Sequence, residues 1–405
     1  MTHNPAIAAT VTGDGERITK GVKAFGYLVI ASSFMSYVPG ANIGTGIFVA
    51  ALGCIFLYQI TLVRPTVPDA RTFAMLVFVL YASASVFTLL SNGWGVEQWL
   101  RGVIPFLFFL LAAFLPKLTE RDRQWLSHSL FVAGLCWLIR ILITAVFLQI
   151  TQGGIFSARL TFNVADSVLP YPLVMVPYLL FANTPFRAWQ RWLFLTILVY
   201  TYVWIGYRIG LVLMSIPFAI YFLERLRRFN LISIMLVVVG FFLFYKYGVF
   251  GSFGLTDRFA DLNNDALGSR QLEWAYALDS FRESPIIGKG VGWQVPTSIT
   301  FFGVEDTGGP VAAYVGYVHS SFAYMAMTLG VIGIALYFFF VLPRPYLRQL
   351  ARGDWFAFLS LMLLVIFCLT QASYRTIQVV LLMIVLIRLN TFDFMAIDRN
   401  AGRPN

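Results

Sequence analysis

Charge is scarce in this chain: Asp, Glu, Lys and Arg make up 12% of the 405 residues, and histidine and cysteine occur three times each. Each scarcity excludes something. Cys54, Cys136 and Cys368 stand in apolar runs at unrelated spacings, which fits neither a disulfide framework nor a zinc site. There is no Walker phosphate loop, no GxSxG elbow, no HExxH helix, and no DxD carboxylate pair in an outer loop to hold a metal and a nucleotide sugar. The expectation is chemistry with no cofactor and no metal. No repeat of 20 to 50 residues and no low-complexity tract is visible, which excludes solenoids and arrays. The net charge of +10 is spread through short loops beside apolar runs, so it reads as membrane topology and excludes a nucleic-acid partner. Residues 1–23 lack a cleavage-type pattern, so the first apolar run is expected to be a retained span.

Apolar sequence is what the chain has in quantity: 59% hydrophobic residues, 39 Phe, 10 Trp and a mean hydropathy of +0.76. These values belong to polytopic membrane proteins. About 20 apolar residues cross a bilayer as a helix. On that measure spans are expected near 24–39, 43–62, 72–90, 101–116, 128–149, 169–183, 193–207, 209–224, 230–249, 320–342, 355–371 and 375–391. The expected fold is therefore all-α, with about twelve transmembrane helices. It divides into a tail (1–23), helices one to nine (24–249), a long loop (250–319), helices ten to twelve (320–391) and a second tail (392–405). With the N-terminus inside, most basic residues fall in internal segments, among them Lys20, Lys23, Arg121, Arg123, Arg187, Arg191, Arg225, Arg344 and Arg388. The positive-inside rule then makes both termini cytoplasmic and the long loop external.

That loop gathers polar residues in an otherwise apolar chain, including Asp257, Arg258, Arg270, Glu273, Arg282, Glu283, Lys289, Glu305 and Asp306. Loops beyond about 15 residues are usually functional or disordered unless they hold structure of their own. A short helix is expected over 269–283, with Arg270, Trp274, Ala277 and Phe281 on one face. Pro285 ends it, and the glycines of Gly288-Lys289-Gly290-Val291-Gly292 turn the chain. Such a helix would lie at the interface, either packed on the outer ends of the spans or simply touching phospholipid.

Three residues stand out for chemistry. His319, where the loop enters span ten, is the only histidine expected outside, and imidazole accepts a proton near neutral pH. Arg208 sits in Tyr207-Arg208-Ile209-Gly210, at an outer turn where a bare charge is costly. Arginine suits phosphate because its planar fork makes bidentate, charge-assisted bonds and never deprotonates. Arg258, Arg270 and Arg375 fall on the same outer surface, so the group points to an anionic lipid-linked substrate such as a diphosphate. The alternative for each arginine is a headgroup anchor. Arg140, about midway along span five, is a further candidate with no assigned role.

In order along the chain, three motifs together resemble the O-antigen ligase and O-antigen polymerase superfamily, lipid-linked glycan transferases of bacterial envelopes with a GT-C-like membrane architecture. The first is the Arg turn at Tyr207-Arg208-Ile209-Gly210, where Tyr replaces the usual small residue. The second is the Arg-bearing external helix from Ser269-Arg270 through Pro285 to Gly288-Lys289-Gly290. The third is His319-Ser320 heading a span with Gly330-Val331-Ile332-Gly333, where Ser320 departs from the frequent His-Asn pair. The resemblance implies a metal-independent, inverting membrane glycosyltransferase in the bacterial inner membrane, with its site facing the periplasm. Its donor would be a glycan on undecaprenyl diphosphate and its acceptor a second glycan, either a lipid-linked repeat unit or the lipid A core. Arg208, Arg270 and His319 would be catalytic; Arg258 and Arg375, with the rings of Trp274 and Trp293, would bind substrate. With no large extra domain and with the His-Ser pair, polymerisation of O-antigen or exopolysaccharide repeats is expected ahead of ligation. A lipid-linked oligosaccharide flippase is the competing class. Transporters tend to show internal repeats and midplane polar residues, which this chain lacks apart from Arg140.

Overall fold

The computed structural model describes residues 19–33, 53–54, 57, 70–113, 115, 118–152, 170–182, 184–205, 208–226, 266–296, 314–315, 318, 320–341, 355–370 and 376–390. Its helices are α1 (Lys20–Ser32), α2 (Ala70–Ala84), α3 (Val86–Ser91), α4 (Val96–Leu107), α5 (Leu110–Ala113), α6 (Glu120–Gln152) and α7 (Tyr171–Phe181). They continue as α8 (Ala188–Ile205), α9 (Arg208–Leu226), α10 (Ala266–Glu283), α11 (Ser321–Val341), α12 (Trp355–Thr370) and α13 (Ile377–Leu389). Two short strands, β1 (Val295–Pro296) and β2 (Tyr314–Val315), pair antiparallel with Val295 opposite Val315. The described protein is thus mostly helical.

Among the described residues, three stretches are long and apolar enough to cross a bilayer: Thr72–Ser91, Glu120–Ile143 and Ser321–Val341. Tyr171–Phe181, Trp355–Leu369 and Ile377–Leu389 are shorter apolar helices. The sequence places helices at these positions to within a few residues, except that the helix expected from 128 starts eight residues earlier, at Glu120, while the spans expected near 43–62 and 230–249 lie outside the described residues, apart from residues 53, 54 and 57. The span expected at 101–116 differs. Pro105 has no N–H for the helical ladder, and the chain tightens there through Phe108 N–H to Pro105 O (3.3 Å) and Phe109 N–H to Phe106 O (3.0 Å), dividing α4 from α5.

Aromatic and aliphatic side chains fill the bundle. Phe78 on α2 meets Phe106, Phe109, Tyr337 and Phe340 edge-on or tilted, at 5.4 to 6.3 Å between ring centres. These contacts set the end of α11 beside the middle of α2. Burial of this kind is worth roughly 1.5–3 kcal/mol per large apolar side chain in water. In lipid, close packing takes over that role.

The two ends of the bundle differ in chemistry. At one end Asp122 of α6 accepts from Thr19 N–H (3.0 Å), Arg123 donates to Leu389 O at the end of α13 (2.7 Å), and Arg388 donates to the carbonyls of Ala112 and Leu115. Asn390 donates to Ala357 O (2.9 Å), and Phe181 lies against both Trp355 and Tyr221. The starts of α1, α6, α8 and α12 and the ends of α5, α7, α9 and α13 therefore share this end. Lys20, Lys23, Arg121, Arg123, Arg191, Arg225 and Arg388 stand on these helices. At the other end Ser32 and Tyr171 exchange a hydroxyl hydrogen bond (2.6 Å), joining the end of α1 to the start of α7. The same end holds the Arg208 start of α9, the start of α11 and the start of α13.

Arg140 is half-buried within α6, about one turn beyond Cys136, which is beside Ser33. The helix begins eight residues earlier than the expected span and runs on for twelve residues past Arg140.

Candidate functional site

A broken span organises the loop-bearing end. Gly330, inside α11, has φ +63 and ψ −163, so the helical ladder is interrupted there. A carbonyl or amide freed inside an apolar span is costly unless it finds a partner. The segment after α10 supplies partners. Lys289 N–H donates to Met327 O (2.8 Å) and Gly290 N–H to Thr328 O (2.9 Å), while Val331 N–H donates back to Pro285 O (2.9 Å). Tyr81 of α2 closes the junction, its hydroxyl lying 3.1 Å from Ile287 O and 3.0 Å from Leu329 O.

The loop enters so deeply because its backbone carries no side chain at the closest approaches. Gly290 has φ +97, and a Cβ there would stand 2.7 Å from Leu89 N and 2.8 Å from Ser85 O. Two residues on, the Gly292 backbone lies against Gly102 of α4, where a Cβ would come 2.7 Å from Gly292 N. Between them Val291 N–H donates to Ser85 Oγ (3.0 Å), and Gly292 N–H donates to the Tyr324 hydroxyl (3.1 Å). Segment 284–292 is therefore wedged between α11, the α2–α3 junction and α4. The expected turn at Gly288, Gly290 and Gly292 is present, each with positive φ, and it is an inserted one.

The helix before the wedge is Ala266–Glu283, three residues longer at its start than expected. Glu273, Ala277 and Ser280 are buried and Tyr276 is half-buried, whereas Trp274 is 49% exposed. Ala277 belongs to both the expected and the observed face and Phe281 is half-buried, so it is Trp274 that departs from the expectation. Of the two expected placements the helix takes the packed one: Ala323, Tyr324 and Met327 of α11 close a small cluster with Ala277, Val295 and Val318.

Trp293 is the best-defined of the expected substrate contacts. Its indole N–H donates to the Tyr276 hydroxyl (3.2 Å), Trp94 meets it edge-on at 5.8 Å, and the Lys289 ammonium stands 5.4 Å from its ring centre. Lys289 also pairs with Glu283 (2.5 Å). An indole held on two sides with a cation beside it is a rigid amphipathic surface.

Arg208 opens α9 and Arg270 lies in α10, so backbone topology puts both at the loop-bearing end. Their side chains lie outside the description, as do residues Arg258, His319 and Arg375 altogether. The neighbours of the last two are described. Val318 and Ser320 are buried at the head of α11, and Thr376 begins α13 at the same end. Ser320 caps α11: its Oγ accepts from Ala323 N–H (3.2 Å), the bond an N-cap residue makes to the third helical amide.

Sequence reasoning passed over Tyr81, Ser85, Tyr324 and Glu273. The first three hold the wedge, and each sits in an apolar run where one hydroxyl gives little signal. Glu273 is a fully buried carboxylate on α10; a buried acid needs a cation or several donors, and its place in a polar loop concealed its burial.

Residues 192–338 match the family model described as O-antigen ligase. The matched stretch runs from α8 through Arg208, Arg270, the wedge and His319 to the second half of α11, and it supports placement in the O-antigen ligase and polymerase superfamily. With the apolar helices, it marks a bacterial membrane protein of glycosyltransferase-like type. No curated protein sequence matches the chain.

Proposed function

We propose that this protein is an inverting, metal-independent glycosyltransferase that moves a glycan from undecaprenyl diphosphate to an acceptor glycan at the periplasmic face of the bacterial inner membrane. The observation that carries the reading is the family match over 192–338, which spans all three candidate catalytic residues in one ordered stretch. The common end shared by the start of α9, the start of α11 and the wedge after α10 supports it.

In the reaction an acceptor hydroxyl attacks the anomeric carbon opposite the leaving group. The carbon–oxygen bond to the diphosphate breaks, and the polyprenyl diphosphate departs with the bonding electrons. Arg208 and Arg270 stabilise the charge that grows on the diphosphate, the usual largest contribution in such a site. His319 either takes the proton of the acceptor hydroxyl as a general base or only orients that hydroxyl. Arg258 and Arg375 contact phosphate or glycan, and Trp274 and Trp293 offer sugar faces. The metal-free route rests on the diphosphate being a good leaving group and on the lack of a DxD pair in an outer loop.

Our first reading of the acceptor is a second lipid-linked repeat unit, which makes the enzyme a polymerase. Ligation to the lipid A core is the second, and two observations favour keeping it: the description of the matched family, and the capping role of Ser320, which gives the His-Ser pair a structural cause unrelated to acceptor choice. In a deletion strain, loss of polymer with one capped repeat retained marks a polymerase. Long lipid-linked polymer that never reaches lipid A marks a ligase. Glycan transfer by the purified protein from a lipid-linked donor tests the activity itself; no transfer to either acceptor would refute it.

A further inference from the structure

The basic end of the bundle holds a pocket remote from the wedge. Leu179 and Leu180 of α7, Ala188, Arg191, Trp192 and Leu195 of α8, and Tyr221 and Arg225 of α9 line a cavity of about 70 Å³. That exceeds the roughly 10–15 Å³ that one water needs, and it suits a single phosphodiester group. Two cations face it. Arg191 comes from the first turns of α8, and Arg225, in the last turn of α9, lies over the Tyr221 ring at 4.8 Å. Among the described residues neither arginine forms an ion pair with a carboxylate. The neighbouring acid, Glu224, is exposed.

Beside the cations the surface is apolar and aromatic. Trp192 stacks on Phe218 and Phe222 at 6.5 and 6.4 Å and meets Tyr221 edge-on at 6.1 Å. Trp189, Trp192, Leu193 and Leu223 are exposed around it. Exposed tryptophans next to arginines at helix ends mark a membrane interface, and basic pockets between helix ends on the cytoplasmic side suit anionic headgroups.

We propose that this corner binds the headgroup of one anionic phospholipid, with Arg191 and Arg225 on its phosphate and Trp192, Leu193 and Leu223 along its glycerol and acyl region. Arginine suits the task because it makes two parallel charge-assisted bonds to phosphate oxygens. The site stands on the end of α8 and α9 opposite Arg208. It is separate from any glycan chemistry and holds whether or not that reading does.

Native mass spectrometry of the full chain, released from detergent with phosphatidylglycerol or phosphatidylcholine added at equal concentration, tests it. The wild type should retain phosphatidylglycerol roughly tenfold better than phosphatidylcholine, and Arg191→Gln with Arg225→Gln should erase that preference. Arg187→Gln, at the same end but outside the pocket, should keep it. Added inorganic phosphate should not displace the lipid; equal displacement would show a site for the free ion and overturn the proposal. Equal retention by the double variant and the wild type would overturn it too. Should the double variant not survive extraction, Arg225→Gln alone, at an exposed position, should lower the preference severalfold, and an unchanged preference counts against the site.

Discussion

Replacing Gly290 by alanine should release the wedge from the broken span. Two costs add at this position. An L-residue at φ +97 loses about 1–2 kcal/mol relative to glycine. The new methyl also meets Leu89 N at 2.7 Å and Ser85 O at 2.8 Å, backbone atoms of a packed helix that do not yield, and overpacking of this kind costs about 1–3 kcal/mol. Together they remove roughly 2–5 kcal/mol from docking of the segment, comparable to the net worth of the three amide bonds at Lys289, Gly290 and Val291, about 0.5–1.5 kcal/mol each. Since a factor of ten corresponds to 1.4 kcal/mol, amide hydrogen exchange in residues 284–292 should accelerate by about thirtyfold at the least, up to the limit of the wild-type protection. Gly93 supplies the control: it has φ +83 but nothing within 4 Å of a built Cβ. Gly93→Ala therefore bears only the backbone cost, in its own turn, and should leave protection of the wedge unchanged. Wild-type protection of 284–292 in Gly290→Ala would refute the account of the loop as an inserted element.

Other variants probe the site and its supports. Arg208→Ala, Arg270→Ala and His319→Ala should each lower glycan transfer by the purified protein at least about a hundredfold, the usual effect of removing a charge-stabilising donor or a general base; full transfer by all three would remove them from the site. Tyr81→Phe withdraws the hydroxyl shared by Ile287 O and Leu329 O, and thermal unfolding should report a loss of about 1 kcal/mol. Ser320→Ala should cost about 1 kcal/mol in the same measurement while Ser320→Asn restores it, because both native-type caps accept from the Ala323 amide. Glu273→Leu should destabilise the packing of α10 on α11 by several kcal/mol if the buried carboxylate answers a cation, since removing one partner strands the other; wild-type melting would show the acid to be dispensable.

Much of the helical framework was legible, because a run of apolar residues is a local property. The bounds of α8, α9, α11, α12 and α13 fall within a few residues of the expected spans, except that α8 starts five residues earlier, and Pro285 ends α10 as its chemistry requires. What escaped depends on residues far apart in the chain. Nothing around Gly330 in a stretch with mean hydropathy 2.0 announces a break. The bonds that replace the lost ladder come from Pro285, Lys289 and Gly290, about forty residues earlier, and from Tyr81 on another span. On α10 the position of Trp274 was misjudged for the same reason. Spacing reports which residues share a stripe but not what lies opposite, and the partner here is Ala323, Tyr324 and Met327.

Capping also bears on how the motif at the head of α11 should be weighed. Serine and asparagine are near-equal N-caps because each places a side-chain oxygen within reach of the third helical amide, and Ser320 makes that bond at 3.2 Å while its carbonyl accepts from Tyr324 N–H at 2.9 Å. A His-Ser pair and a His-Asn pair thus present the preceding histidine from the same kind of helix start. The departure at position 320 is one that the helix start itself accommodates, as a change of cap. Under the proposed function, acceptor choice resides in surfaces that meet the incoming glycan, and the clamped indole of Trp293, beside Lys289 and edge-on to Trp94, is a candidate for such contact alongside exposed Trp274. Trp293→Ala should therefore raise KM for the acceptor more than it lowers kcat, and an equal fall in kcat with unchanged KM would move the specificity surface elsewhere.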